Sequence, residues 1–137
     1  MTLKINLTPG ECVVIGKARV ENGGDRRCTL IVSGSETILR QKRLMRERDA
    51  ATPMKRLYFV VQCMYLADSR EARESLIPLY QQISREAAAV WPQQALAIVQ
   101  VGELLMDGND YGALNQVHAL VEHEQRLLDP EAKDAPA

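Results

Sequence analysis

The chain predicts an α+β fold: a small antiparallel β-meander over about residues 3–40, then a bundle of three to four helices. Three observations carry that reading. The first forty residues are short apolar runs cut by Pro-Gly, Asn-Gly and Ser-Gly-Ser. The remainder is made of longer segments with helical period and helix start and stop signals. The 137 residues, 46% apolar and 26% charged, suit one ordinary globular domain with its own core.

In order, "LKINLTPGE" alternates apolar and polar and breaks at Pro9-Gly10. "CVVIG" and "ARV" follow around Gly16, and "ENGGD" supplies an Asn-Gly turn. "RRCTLIVSGSETILR" gives two more short runs around Ser33-Gly34-Ser35. This makes four or five strands, with one Leu/Ile/Val face that something must cover. A short helical turn is expected between Leu44 and Asp49. Thr52 then reads as an N-cap with Pro53 in the first helical position, opening "TPMKRLYFVVQCMYLA". From Leu57 to Leu66 only Gln62 is plainly polar, so this helix is expected to be buried. Tyr58, Phe59 and Tyr65 are core residues on this reading. Asp68 or Ser69 caps the next segment, which Pro78 should kink or split. Pro92 opens a further helix that Gly108 closes, and Asn109 or Asp110 starts the last one, running to about Leu128. The whole is read as a single domain, 1–137, with a basic β-rich half (1–50), an acidic helical half (51–128) and a flexible tail (129–137).

Several function classes are disfavoured. No apolar run reaches the length of a membrane span, and the N-terminus lacks the pattern of a secretory signal, so a cytoplasmic protein is expected. Cys12, Cys28 and Cys63 form no Cys-x-x-Cys and are expected to be free, buried thiols. No phosphate loop, His-Glu-x-x-His or Gly-x-Ser-x-Gly occurs. His118 and His123, five apart, diverge on a helix and read as surface histidines, and Glu122 and Glu124 as a solvated face. No catalytic residue, cofactor or metal ligand is assigned, and an enzyme is not expected.

Charge is distributed unevenly. Residues 1–56 hold twelve Lys/Arg against six Asp/Glu, while residues 57–137 hold five against twelve. The cationic half suggests a polyanion as partner. Guanidinium groups pair with phosphate and stack on bases, which suits RNA. The candidate contacts are Arg26, Arg27, Arg40, Lys42, Arg43, Arg46, Lys55 and Arg56, with Glu47 and Asp49 placed to neutralise part of the run. Arg70, Arg73 and Arg85, on the acidic half, are expected to matter little for RNA.

"LTPGECVVIG", "NGGDRRCTL", "ILRQKRLM" and "ATPMKRLYFVVQCMYL" resemble the FlbT family of flagellin post-transcriptional repressors. Thr52, Pro53, Arg56, Leu57, Tyr58 and Phe59 carry the most specific part of the likeness. The resemblance implies action on the 5′ untranslated region of flagellin mRNA, lowering its translation and stability during flagellum assembly. It also implies a FlaF-type regulator as a genetic partner. Gly10, Glu11, Ile15 and Gly16 are similar to the opening of the carbon storage regulator, a small RNA-binding β dimer. That likeness and the exposed strand edges suggest a homodimer. The alternative to an RNA-binding repressor is an adaptor that binds flagellin or a FlaF-type protein through the acidic helices.

Overall fold

In the computed structural model, residues 2–34 and 36–129 are described. The chain divides into two compact units, Met1–Leu44 and Met45–Ala137. The division comes earlier than the break after residue 50 read from composition. Of the expected tail only Asp129 lies among the described residues.

The first unit holds five strands: β1 (Thr2–Leu7), β2 (Cys12–Ile15), β3 (Ala18–Glu21), β4 (Cys28–Ser33) and β5 (Ile38–Arg40), followed by a 3-10 turn at Gln41–Arg43. All pairings are antiparallel, but the strands are not connected as a meander. β1 pairs with β4 in a two-stranded ribbon, and β3-β2-β5 form a second sheet. Alternation fixes the inner face of the ribbon: Leu3 opposite Val32, Ile5 opposite Leu30, Leu7 opposite Cys28. Thr2, Lys4, Asn6, Thr29 and Ile31 point outward, and the Thr29 hydroxyl donates to Asn6 Oδ1 at 2.8 Å. Ile5, Leu7 and Val13 form the buried centre, with Ile15, Val20, Cys28, Leu30, Val32 and Ile38 packed around it. The apolar faces of the two sheets therefore cover each other.

Two turns explain the departure from a meander. Thr8–Glu11 carries the chain from one sheet to the other, with Gly10 at φ +80° after Pro9, as a type II turn requires, and Glu11 N–H donating to Thr8 O at 3.0 Å. The Asn-Gly turn is not a hairpin: β3 and β4, which flank it, lie in different sheets. The two-residue hairpin is instead Gly16-Lys17, between β2 and β3, with Gly16 at φ +59°.

The second unit opens with a 3-10 turn at Glu47–Asp49 and continues with α1 (Pro53–Leu66), α2 (Arg70–Ser75), α3 (Ile77–Val90), a 3-10 turn at Pro92–Gln94, α4 (Ala95–Met106) and α5 (Asp110–Leu128). Thr52 caps α1 by accepting from Lys55 N–H, with Pro53 at its start. Ser69 caps α2 and Asn109 caps α5. Pro78 lies in the first turn of α3, so the expected split separates the short α2 from α3. Met54, Leu57, Tyr58, Val60, Val61 and Met64 bury α1 on nearly all sides, and α5 contributes Ala113, Leu114, Val117 and Leu120 to the core. Gln62, the polar exception, is buried. Its Oε1 accepts from Met45 N–H and its Nε2 donates to Met45 O, both at 2.8 Å, closing both hydrogen-bonding groups of that residue's backbone.

Some expectations about single residues are corrected. Glu124 is not on a solvated face: it is 2% exposed and accepts from the Thr52 hydroxyl, from Met54 N–H at 3.2 Å and from Trp91 Nε1 at 2.8 Å. Three convergent donors stand in for the water it has lost. Glu122 is exposed and faces His118 at 3.0 Å. His118 and His123 are half-buried rather than surface residues, and the His118 ring lies 6.0 Å from that of Tyr58. All three cysteines are free, but only Cys12 is buried, while Cys28 and Cys63 are half-buried. Tyr58 is core; Phe59 and Tyr65 are half-buried, with the Tyr65 ring 5.6 Å from Tyr111.

Candidate nucleic-acid interface

The β unit concentrates positive charge. Residues 1–44 hold eight Lys/Arg against four Asp/Glu, a formal +4, and residues 45–137 hold nine against fourteen, a formal −5. Strand register decides where that charge stands. Leu7 pairs with Cys28, so β1 ends where β4 begins. Cys12 pairs with Glu21 and Val13 with Arg40, so β3 and β5 end where β2 begins. The Thr8–Glu11 turn joins these two ends, and Gly10 N–H donates to Asn22 O at 2.8 Å. One end of the sandwich therefore collects Arg26 and Arg27, just before β4, with Arg40, Lys42 and Arg43, at and after the end of β5.

The backbone at this end is fastened. Asn22, only 8% exposed, donates its Nδ2 to Leu7 O at 3.0 Å and to Arg26 O at 2.8 Å, and its Oδ1 accepts from Gly24 N–H at 3.0 Å. Asn22 N–H donates to Glu11 O at 3.0 Å. The loop that presents the arginine pair is thus tied to β1. On the other side, Gln41 Oε1 accepts from Cys12 N–H at 2.7 Å, which fixes the turn between Arg40 and Lys42. Glu11, the nearest acidic residue in sequence to the linking turn, has its carboxylate engaged by the Thr8 N–H and hydroxyl. Arg26, Arg27, Arg40 and Lys42 are exposed, and Arg43 is half-buried. Exposed cations on a braced backbone present a surface to phosphate, and the backbone itself has little ordering left to do on binding.

The other three candidates belong to the helical unit. Arg46 is exposed and pairs with Asp49 at 3.1 Å, the neutralisation expected from the sequence. Lys55 is half-buried and Arg56 exposed in the first turn of α1. Among the supposed bystanders, Arg73 is structural. It makes two bonds to the Asp110 carboxylate, at 2.8 and 2.7 Å, and one to Leu105 O at 2.8 Å. Sequence reasoning did not single out Asn22 or Gln41 as braces of this surface: Asn22 reads only as part of an Asn-Gly turn, and the bonds both make reach residues distant in the chain. The Asn-Gly-Gly run was the available signal, but it points equally to a hairpin.

Among the described residues, no group of three or more His, Cys, Asp or Glu could hold a metal ion, and no helix is long and apolar enough to cross a membrane.

Over most of its length the chain is similar to known proteins. The family model described as "Flagellar protein FlbT" matches residues 3–128. A protein of Rhodopseudomonas palustris strain TIE-1, named "Probable flagellum biosynthesis repressor protein FlbT", is 34% identical over 128 residues, covering 93% of this chain and 98% of the relative. One of the same name from Caulobacter sp. strain K31 is 31% identical over 133 residues, covering 93% and 97%. The "Flagellum biosynthesis repressor protein FlbT" of Caulobacter vibrioides strain ATCC 19089 is 42% identical over 66 residues, 48% of this chain and 46% of the relative. No solved structure matches the chain.

Proposed function

This chain belongs to the FlbT family of flagellar proteins, and from that premise we propose that it is a post-transcriptional repressor of flagellin synthesis. On this reading it binds the 5′ untranslated region of flagellin mRNA in the cytoplasm and blocks translation or promotes decay of the message. The names of its relatives support the repressor role. The observation that carries the RNA reading is the group of cationic side chains at one end of the β sandwich, on backbone braced by Asn22 and Gln41. Arginine forks suit phosphate and unstacked bases, and the unit's positive charge steers a polyanion toward it. Decay of the message falls to separate nucleases.

The test is a gel-shift titration of a labelled flagellin leader RNA against the full chain. Wild type is expected to bind, with affinity falling as salt rises. Arg26→Glu, Arg27→Glu, Arg40→Glu and Lys42→Glu together should abolish the shift at moderate salt. Single Arg→Ala changes should each flatten the log–log salt slope by roughly 0.7. Arg43 is left out of the set because a half-buried carboxylate there would disturb the fold. The control pair is Arg70→Glu with Arg85→Glu, both exposed. Equal loss in the control, or no binding by folded wild type at low salt, would refute the reading.

A further inference from the structure

α4, "ALAIVQVGELLM", is apolar on two sides. Ile98, Val101 and Leu105 are buried on the inner side. On the outer side Leu96 is 72%, Val99 56% and Met106 90% exposed. Positions 96, 99, 103 and 106 fall on one stripe of a helix, so the three apolar side chains and Glu103 lie in line, with Gln100 and Asp107 beside them. A surface helix ordinarily turns polar residues outward, and three large apolar side chains on one exposed stripe mark an interaction surface. The helix is also held firmly. Gly102 lets the Tyr80 hydroxyl approach to 3.1 Å from where a Cβ would stand, and Gln100 accepts from Gln116 Nε2 at 3.1 Å.

Charge around the stripe selects its occupant. From residue 86 to residue 125 the sequence has no Lys or Arg. Of the acidic side chains in that stretch, Asp110 is taken by Arg73 and Glu124 is buried. Glu103, on the stripe, and Asp107, beside it, are exposed and have no ion-pair partner among the described residues. A second copy docking face to face would oppose carboxylates with no cation to offset them. RNA and anionic lipid would be repelled. A helix with Leu-like residues on one side and Lys or Arg along its margins complements both the apolar stripe and the acids.

We propose that the outer face of α4 is a docking site for a cationic amphipathic helix of a protein partner. Its apolar side seats on Leu96, Val99 and Met106, and its cations pair with Glu103 and Asp107. Twelve residues span about 18 Å, so the contact takes about three turns of the partner. This surface is independent of the RNA reading, since it lies wholly on the helical unit.

The probe is a fluorescein-labelled Leu/Lys peptide of about 18 residues, long enough to hold a helix, with leucines at helical spacing. A shuffled isomer of the same composition is the control. Anisotropy is read against the full chain. The helical-period peptide should bind at least roughly tenfold more tightly than the isomer, and Val99→Ser with Met106→Ser should weaken it by roughly tenfold or more. Glu103→Lys with Asp107→Lys should weaken it and remove most of its salt dependence. This second pair touches no buried contact, so it decides the matter should the first pair disturb the fold. Affinity unchanged by the charge pair would overturn the proposal. So would a wild-type dimer that Met106→Ser dissociates, or wild-type binding to anionic vesicles that Met106→Ser abolishes.

Discussion

Asn22 shows how one side chain can set the geometry of a loop. Its amide engages Leu7 O, Arg26 O and Gly24 N–H, while its own backbone is bonded to Glu11 and Gly10. Truncation by Asn22→Ala leaves two carbonyls and one N–H without their partner. We expect a loss of about 2–3 kcal/mol in urea unfolding, with weaker RNA binding even though every arginine remains. Glu124 plays the corresponding part in the helical unit. Its carboxylate only accepts, and the Thr52 hydroxyl, Met54 N–H and Trp91 Nε1 all donate to it. In Glu124→Gln one accepting oxygen becomes a donor facing a donor, so stability should fall by about 1–3 kcal/mol. Trp91 is the only tryptophan, so its emission should report the lost indole bond directly. At Cys63, burial first and Glu47 second push the thiol above its usual value of 9.0. Below 9.0 both the folded and unfolded chain keep the proton, so stability is unaffected. As pH rises above 9.0 the unfolded chain ionises first, and stability is lost. Alkylation of Cys63 by iodoacetamide, mapped by mass spectrometry, should be slower in the native protein than in the urea-unfolded chain.

At the scale of elements, α2 owes its place to one residue rather than to packing area. It spans six residues, none of them buried, and is too short to stand alone. Arg73 joins it to the C-terminal end of α4 through Leu105 O and to the N-terminal turn of α5 through Asp110. The hydrogen bonds to Asp110 raise the Arg73 pKa, so the guanidinium stays charged at every accessible pH. Arg73→Leu strands a half-buried carboxylate and should cost about 2–3 kcal/mol by thermal or urea unfolding. Arg70→Leu, which loses only an exposed pair with Glu74, should change stability by less than about 0.5 kcal/mol. Equal effects of the two would show that the Arg73 bridge is not what holds α2.

At the scale of the whole molecule, the two units differ in how much they bury. The β unit centres on Ile5, Leu7 and Val13 with a half-buried surround. The helical unit buries residues from α1, α3, α4 and α5. A core that small in some forty residues lies near the lower limit for independent stability. Native-state hydrogen exchange should therefore find lower opening free energies in β1–β5 than in α1 and α5. Protection in β1 and β4 equal to that in α1 would instead make the chain a single cooperative unit. Opposite net charges on the units fit two different kinds of partner: a polyanion at the β end and a cationic helix on α4.

The sequence by itself determined the elements. Pro9-Gly10, the Thr52-Pro53 cap, Pro78 and Gly108 each act through local φ and ψ or a missing N–H, and these are properties of a few adjacent residues. The α+β class, the family resemblance and the burial of α1 were legible for the same reason, as was the uneven charge. What only the tertiary structure decided depends on contacts between residues far apart in the chain. Alternation tells which residues share a face but not which strand lies beside which, so the β1–β4 pairing could not be read from it. The gathering of Arg26 and Arg27 with Arg40 and Lys42 follows from that pairing and from the Asn22 bonds. Glu124 looked solvated because its donors, Thr52, Met54 and Trp91, are supplied by segments more than thirty residues away. The outer face of α4 was hidden too: an apolar residue in sequence reads as core, and only packing shows which side of a helix is left uncovered.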